Sequence, residues 1–269
     1  MRQSFNSAVV TSLAFVAIAT AAQGADLQPR AVAAFDRYVQ LTEARMKNGF
    51  LLVDTAPDAA QGLKRLRAGE NLIDRLTTRD GGREIDAPGA LIHHWVGAAF
   101  APGVTIEQTL ALLQNYDAHA TVYKPNVARS TLLERDGDRF KVFLRFAMKK
   151  VITVVVNSEH VAQFSRPGGD RAEGRIYSTR IAEVEDPDTP TERERPVGHD
   201  GGYLWRLNTY WRLLARDGGT YVECESVSLT RGIPTGFGWL VGPFVTSIPR
   251  ESLAFTLDTT RTRLLAAAH

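Results

Sequence analysis

The pattern of apolar and polar positions puts helices at the start, middle and end of the chain, with β-rich segments between them. From Gln28 to Lys47, Val32, Phe35, Val39, Thr42 and Met46 recur at steps of three and four. Pro29 opens this run and Gly49 follows it, so a helix is predicted. Phe50–Val53 predicts a short strand and Ala59–Arg67 a turn or two of helix. Asn71–Arg79 and Leu91–Phe100 read as strands on either side of a turn-rich stretch from Asp80-Gly81-Gly82 to Pro88-Gly89. Thr105–Tyr116 reads as a further helix, in which Thr105 and Gln108 have the spacing of a capping box.

After Pro125 the character of the chain changes. Ala128–Arg135 and Arg139–Ala147 predict a hairpin across Asp136-Gly137-Asp138, and Val151–Asn157, Val161–Phe164 and Ser178–Val184 continue the strand series. Asp186 to Gly202 is polar, holds Pro187, Pro190 and Pro196, and predicts a mobile surface loop. Tyr203–Arg216 and Thr220–Thr230 flank Asp217-Gly218-Gly219, the strongest hairpin signal in the chain. Gly232–Pro243 is apolar, and its glycines and prolines argue against regular structure up to Pro249. Ser247 is then the predicted cap of a final helix running to Ala267, with Leu253, Leu257, Thr260 and Leu264 on one stripe. Strands in runs rather than alternating with helices predict an α+β fold, an antiparallel sheet covered by that last helix.

Composition adds the compartment and removes several functions. The chain has 269 residues and a formal net charge of +2, with both signs interspersed, so it has no electrostatic footprint for nucleic acid. Arg2, an apolar run from Ala8 to Ala22 and the small residues Ala22-Gln23-Gly24 predict a signal peptide cleaved before Ala25, hence a periplasmic or secreted protein. The alternative is an uncleaved membrane anchor, for which the run is short. Cys224 is the only cysteine, so no intramolecular disulfide can form.

Catalytic signatures are lacking. There is no nucleophile-elbow serine motif and no phosphate-binding glycine–lysine loop, and Gly236-Phe237-Gly238 has the wrong spacing for a dinucleotide site. The histidines are scattered, and His93 and His94 point to opposite faces of a strand, so no metal site and no cofactor are expected. Glu223 and Glu225 share a strand face, with Arg206 and Arg212 as cross-hairpin partners. A salt-bridged pair is the first reading of them, and an acid–base pair the second. Cys224 falls on the opposite face, as a packed core residue.

The positive signal is aromatic. Tyr203, Trp205 and Trp211 occupy alternate positions of one predicted strand, and Phe237, Trp239 and Phe244 crowd the apolar loop. They fill a core or line a cavity closed by the final helix. The order of elements, with Leu91-Ile92-His93-His94-Trp95, Leu204-Trp205-Arg206-Leu207 and Gly232-Ile233-Pro234 before a long helix, resembles the START-like, or helix-grip, superfamily. That superfamily includes lipid-transfer domains, coenzyme Q-binding proteins and polyketide cyclases. The resemblance implies a curved antiparallel sheet wrapped around the C-terminal helix, with an apolar cavity between them and no universal catalytic residue. Residues 1–24 are then the signal peptide, 25–80 an N-terminal helical extension and 81–269 the ligand-binding domain. The expected function is that of a carrier or sensor for a hydrophobic, lipid-like small molecule. Its lining would be Trp95, Phe143, Trp205, Trp211, Phe237, Trp239, Phe244 and Phe255, with Arg145, Glu223 or His94 as a polar anchor. The alternatives are a cyclase or hydrolase using Glu223 or His94 in the same cavity, and a module that docks on a membrane or partner through the 232–249 loop.

Overall fold

The structure, a computed structural model, describes residues 25–149, 153–233 and 238–267, with side chains left aside for 238–246. The predicted signal peptide therefore lies outside the described residues. Helix α1 (Pro29–Arg45) and α2 (Ala59–Arg67) precede β1 (Leu72–Arg75) and β2 (Ala90–Pro102). Next come α3 (Ile106–Gln114) and the single turn α4 (His119–Val122). The series β3 (Val127–Asp136), β4 (Arg139–Lys149), β5 (Thr153–Gly168), β6 (Arg171–Glu185) and β7 (Arg193–Glu194) follows. A last hairpin, β8 (Arg206–Arg216) and β9 (Gly219–Arg231), leads to α5 (Gly238–Ala267).

Nine strands make one antiparallel sheet, in the order β1-β2-β9-β8-β6-β5-β4-β3, with β7 added to β6. The β8–β9 hairpin turns at Asp217 (φ 56°) and Gly218 (φ 74°), the two positive angles that a tight hairpin of the right twist requires. The capping box at α3 forms: Thr105 Oγ1 accepts from Gln108 N–H at 3.2 Å, and Gln108 Oε1 accepts from Thr105 N–H at 2.8 Å. Among the described residues no helix is long and apolar enough to cross a membrane.

Each face of the sheet has its own cover. On the inner face, Leu253, Leu257, Thr260 and Leu264 of α5 are all buried, against Ala99, Ala101, Val222, Cys224, Trp211, Leu213, Phe140 and Phe164. Gly97 permits this contact, because a Cβ there would lie 2.4 Å from Leu257 Cδ1. On the outer face, Phe35 and Tyr38 of α1 pack with Trp205, Tyr210, Val227 and Leu229. Leu51 and Leu66 pack nearby with Phe100, Leu214 and Tyr221. Helices α1 and α2 and the turn between them are thus a second layer over the back of the sheet.

Several expectations are corrected. Phe50–Val53 is no strand; a 3-10 turn at Leu52–Thr55 replaces it. Its backbone is held by side chains instead of a ladder, since Arg212 donates to Phe50 O and Leu52 N–H donates to Glu223. Asn71–Arg79 leaves the sheet after Arg75, and Thr78 N–H goes to the Tyr38 hydroxyl at 2.8 Å. The two strands expected between 151 and 164 are one, β5, with a bulge at Glu159/His160 that accommodates the polar stretch. The final helix begins at Gly238, not near Ser247. Pro243 and Pro249 each forfeit one backbone hydrogen bond there, but their fixed φ is helical.

The 186–202 segment carries specific contacts. Arg145 binds Glu192 through two 2.8 Å bonds, Asn157 binds Glu194 at 2.9 Å, and Gly201 N–H donates to Glu183 at 2.6 Å.

Candidate functional site

Alternation along the strands and the cross-strand register place inner-face side chains in rows. The row Gly97, Cys224, Trp211, Gly174 and Phe164 is fully buried, with α5 over its β2 and β9 end. One step along the strands, Trp95, Ser226, Thr209 and Ile176 face each other in order across β2, β9, β8 and β6, and all four are half-buried. The following row runs His93, Ser228, Leu207, Ser178, His160 and Val142. Half-buried Phe146, Met148, Tyr203 and Leu204 continue from there in a small cluster with Val154, Val156 and Ile181. The inner face therefore passes from a sealed core through one half-buried row to a third in which His93, Ser228, His160 and Val142 are again buried, so the accessible strip is narrow. That strip is apolar at Trp95, Ile176, Leu207 and Phe146 and hydroxylic at Thr209 and Ser226.

The strip's own side chains are uncharged, but the exposed cation Arg75 stands in register opposite Trp95 on the edge strand β1. His93 is held by burial, and then by the charge of Arg75, to a pKa of about 4, and its Nε2 lies 2.9 Å from Thr230 Oγ1. Burial likewise lowers His160 to about 4, so both imidazoles are neutral at physiological pH.

The buried charges are behind the sheet. Glu225, Glu223, Arg212 and His94 are all buried on the outer face, beneath α1 and the turn that follows it. Arg212 Nη1 lies 3.1 Å from Glu223 Oε1, and Nη2 lies 3.3 Å from Glu225 Oε2. Arg45 from α1 also pairs with Glu225, and Leu52 N–H donates to Glu223 at 2.6 Å. Glu225 accepts from His94 Nε2 at 2.6 Å, so a neutral His94 has a bare Nδ1. That nitrogen accepts from the Tyr38 hydroxyl at 3.0 Å, and Tyr38 in turn accepts from Thr78 N–H. Glu223 Oε1 is left with the Arg212 ion pair and no hydrogen bond, while Arg45, Tyr38, Leu52 and Thr78 of the N-terminal segment support the rest.

The two carboxyls titrate apart. Burial pushes Glu223 up to about 7, against the opposing pull of Arg212. Burial also raises Glu225, but the His94 N–H and the Arg45 charge outweigh it and leave the carboxyl below its ordinary value. A carboxyl with a raised folded pKa favours the native state when protonated. The contribution of Glu223 is thus complete below its unfolded value of 4.5 and is lost as pH rises through about 7. Urea melts of Glu223→Gln beside the parent should show the variant gaining relative stability between about pH 5 and 8. A difference that stays flat over that range contradicts the assignment.

The residues proposed from sequence divide between these two places. Trp95 stands on the accessible inner strip, Trp211 in the sealed inner core, and half-buried Phe255 packs against that core from α5. Five others are not in the grip. Phe143 points outward beneath the Arg129 guanidinium, 4.8 Å from its ring centre. Arg145 also points outward, to Glu192 and Asp188. Trp205 precedes the first residue of β8, escapes the alternation and turns to the outer layer, where its Nε1–H meets Asp200 at 2.9 Å. Glu223 joins the outer ionic cluster, as does His94. Neither can act as acid or base inside the grip. Phe237 and the side chains of Trp239 and Phe244 lie outside the described residues.

Thr209, Ser226 and His160 were not singled out from sequence. Isolated hydroxyls and a lone histidine carry no pattern, and only register shows which of them share a face. Among the described residues no group of three histidine, cysteine or acidic side chains is arranged to hold a metal ion.

The fold is α+β: a nine-stranded antiparallel sheet with α5 over a partly open inner face and a second layer at its back. No protein-family model matches the chain, and no curated protein matches its sequence. Solved structures do resemble it. A STAR-related lipid transfer protein fragment from Xanthomonas axonopodis is 17% identical over 71% of this chain and 98% of its own, with a TM-score of 0.47. Human STARD10 is 11% identical over 76% and 79%, with a TM-score of 0.42. The ZhuI aromatase/cyclase from Streptomyces sp. R1128 is 14% identical over 65% and 94%, with a TM-score of 0.39.

Proposed function

We propose that this protein binds a hydrophobic small molecule between the inner face of the sheet and α5, as a carrier or sensor. The observation that carries the reading is the half-buried row Trp95, Ser226, Thr209 and Ile176 beside a fully buried one. A sheet face covered only to make a core would be sealed along its length, as the Gly97 row is. Aromatic and aliphatic walls with a few hydroxyls are the surface that a lipid-like ligand desolvates at about 25 cal/mol per Å². Export belongs to the same proposal and rests on the leader-like residues 2–24; the amino terminus of the protein recovered from its own cells should then be Ala25.

The test is extraction and identification of co-purifying lipid by mass spectrometry, beside the variant Thr209→Trp. An indole at Thr209 fills the strip between Ser226 and Ile176. It should lower bound lipid at least tenfold while the circular dichroism spectrum stays that of the parent. Undiminished lipid in the variant would place the ligand elsewhere.

A further inference from the structure

His160 lies on the inner face between Val142 and Ser178, in the row that continues to Leu207, Ser228 and His93. Its neighbours decide where its ring proton sits. The Ser158 hydroxyl spends its one proton on the Leu144 carbonyl, at 2.9 Å. It can therefore only accept from His160 Nε2, also at 2.9 Å, and Nε2 must carry the ring hydrogen. Nδ1 is left as a bare lone pair. It is buried and has no hydrogen-bond partner among the described residues. Folded proteins rarely leave such an acceptor unmatched. An apolar ring of the same size would pack against Phe146, which meets the imidazole edge-on at 6.2 Å, without that cost. Half-buried Ile176, diagonal to His160 on β6, and half-buried Phe146, edge-on to its ring, are its inner-face neighbours on the side of the strip.

We propose that His160 Nδ1 is the polar anchor of the grip, accepting a hydrogen bond from a hydroxyl of a neutral, largely hydrocarbon ligand. This rests on the ligand-binding reading above and narrows it to alcohols and phenols. No charged side chain lies in the row from His93 to Val142, and Arg75, the cation beside His93, stands on the edge strand with four strands between it and His160. An ether or ester brings no proton to Nδ1, so the site separates an alcohol from its O-methyl derivative. A site built to pair with a hydroxyl rejects the analogue lacking it more strongly than an apolar wall rejects a change of size.

The experiment uses the full chain and two matched pairs of probes, farnesol with farnesyl methyl ether and cholesterol with its methyl ether. Binding is read by tryptophan fluorescence. The parent should bind at least one alcohol tenfold or more tightly than its ether, and His160→Phe should bind both alike. A measurement on the parent itself guards against a misfolded variant. In the ¹⁵N spectrum of labelled histidine, the unprotonated Nδ1 resonance of His160 should move upfield with the alcohol and stay in place with the ether. Equal affinity of the parent for alcohol and ether, or an unmoved resonance under saturating alcohol, overturns the anchor. If extraction of the native protein yields a lipid with no free hydroxyl, the anchor falls and the carrier reading stands. If extraction yields no lipid and no probe binds, both fall.

Discussion

Replacing Arg212 with alanine should cost about 3–5 kcal/mol of stability, the scale on which removing one partner strands a buried charge. Arg212 is the cation that touches both Glu223 and Glu225, and all three side chains are buried. Its guanidinium also donates to Phe50 O at 2.8 Å, so the variant loses a tie to the N-terminal layer as well. Arg45 remains beside Glu225 but does not replace the contact with Glu223, whose other support is the Leu52 N–H. Lysine should recover only part of the loss, because one ammonium cannot span two carboxylates and a carbonyl as a planar fork does. Urea denaturation of parent, Arg212→Ala and Arg212→Lys measures this directly. Hydrogen exchange should show residues 45–55 opening before the sheet. A loss below about 1 kcal/mol for alanine would mean that the cluster hydrates and is no structural tie.

Leu257→Ala is the second large effect expected. Leu257 is fully buried, and its Cδ1 occupies the space above Gly97 that no other residue type at 97 would leave open. The truncation leaves a cavity between helix and sheet that neither can close, because Tyr123 and Thr260 fix the spacing nearby with a 3.0 Å hydrogen bond. Leucine-to-alanine changes at such sites cost about 2–5 kcal/mol, and the absence of collapse puts this one in the upper half of that range. For a domain of this size the melting temperature should fall by about 10 °C. Gly97→Val attacks the same contact from the other side and should destabilise at least as much, since backbone and helix both stand in the way. Calorimetry on the two variants decides the point. A shift of a degree or two in both would show that α5 is not gripped at this position.

Much of the frame was legible because it is written in local patterns. The α1 stripe around Phe35, the Thr105–Gln108 capping box, the Asp217-Gly218 turn and the α5 stripe of Leu253, Leu257, Thr260 and Leu264 each depend on neighbours a few residues apart. The opposition of His93 to His94, and of Cys224 to Glu223 and Glu225, followed from a period of two and needed no partner strand. Where the reading failed, the deciding contact was distant. The turn at Leu52 is held by Glu223, which is 171 residues away along the chain. Trp205 leaves the alternation because Asp200 and α1 hold it, not because of anything in its own strand.

The sequence by itself determined the α+β class, the antiparallel run, the final helix as cover and the poverty of catalytic motifs, because periodicity, capping and turn chemistry are properties of short stretches. Only the tertiary structure decided which side chains share a face. Parity says that Arg145 and Phe146 point oppositely, but not which of them points into the grip. That depends on register between strands and on what lies over each face. The N-terminal layer is the case in point. By covering the back of the sheet it ties Glu223 and His94, the candidate ligand anchors, to Glu225 and Arg212 in an internal cluster, and it leaves the inner strip, with Thr209, Ser226 and the bare nitrogen of His160, as the site proposed for a ligand.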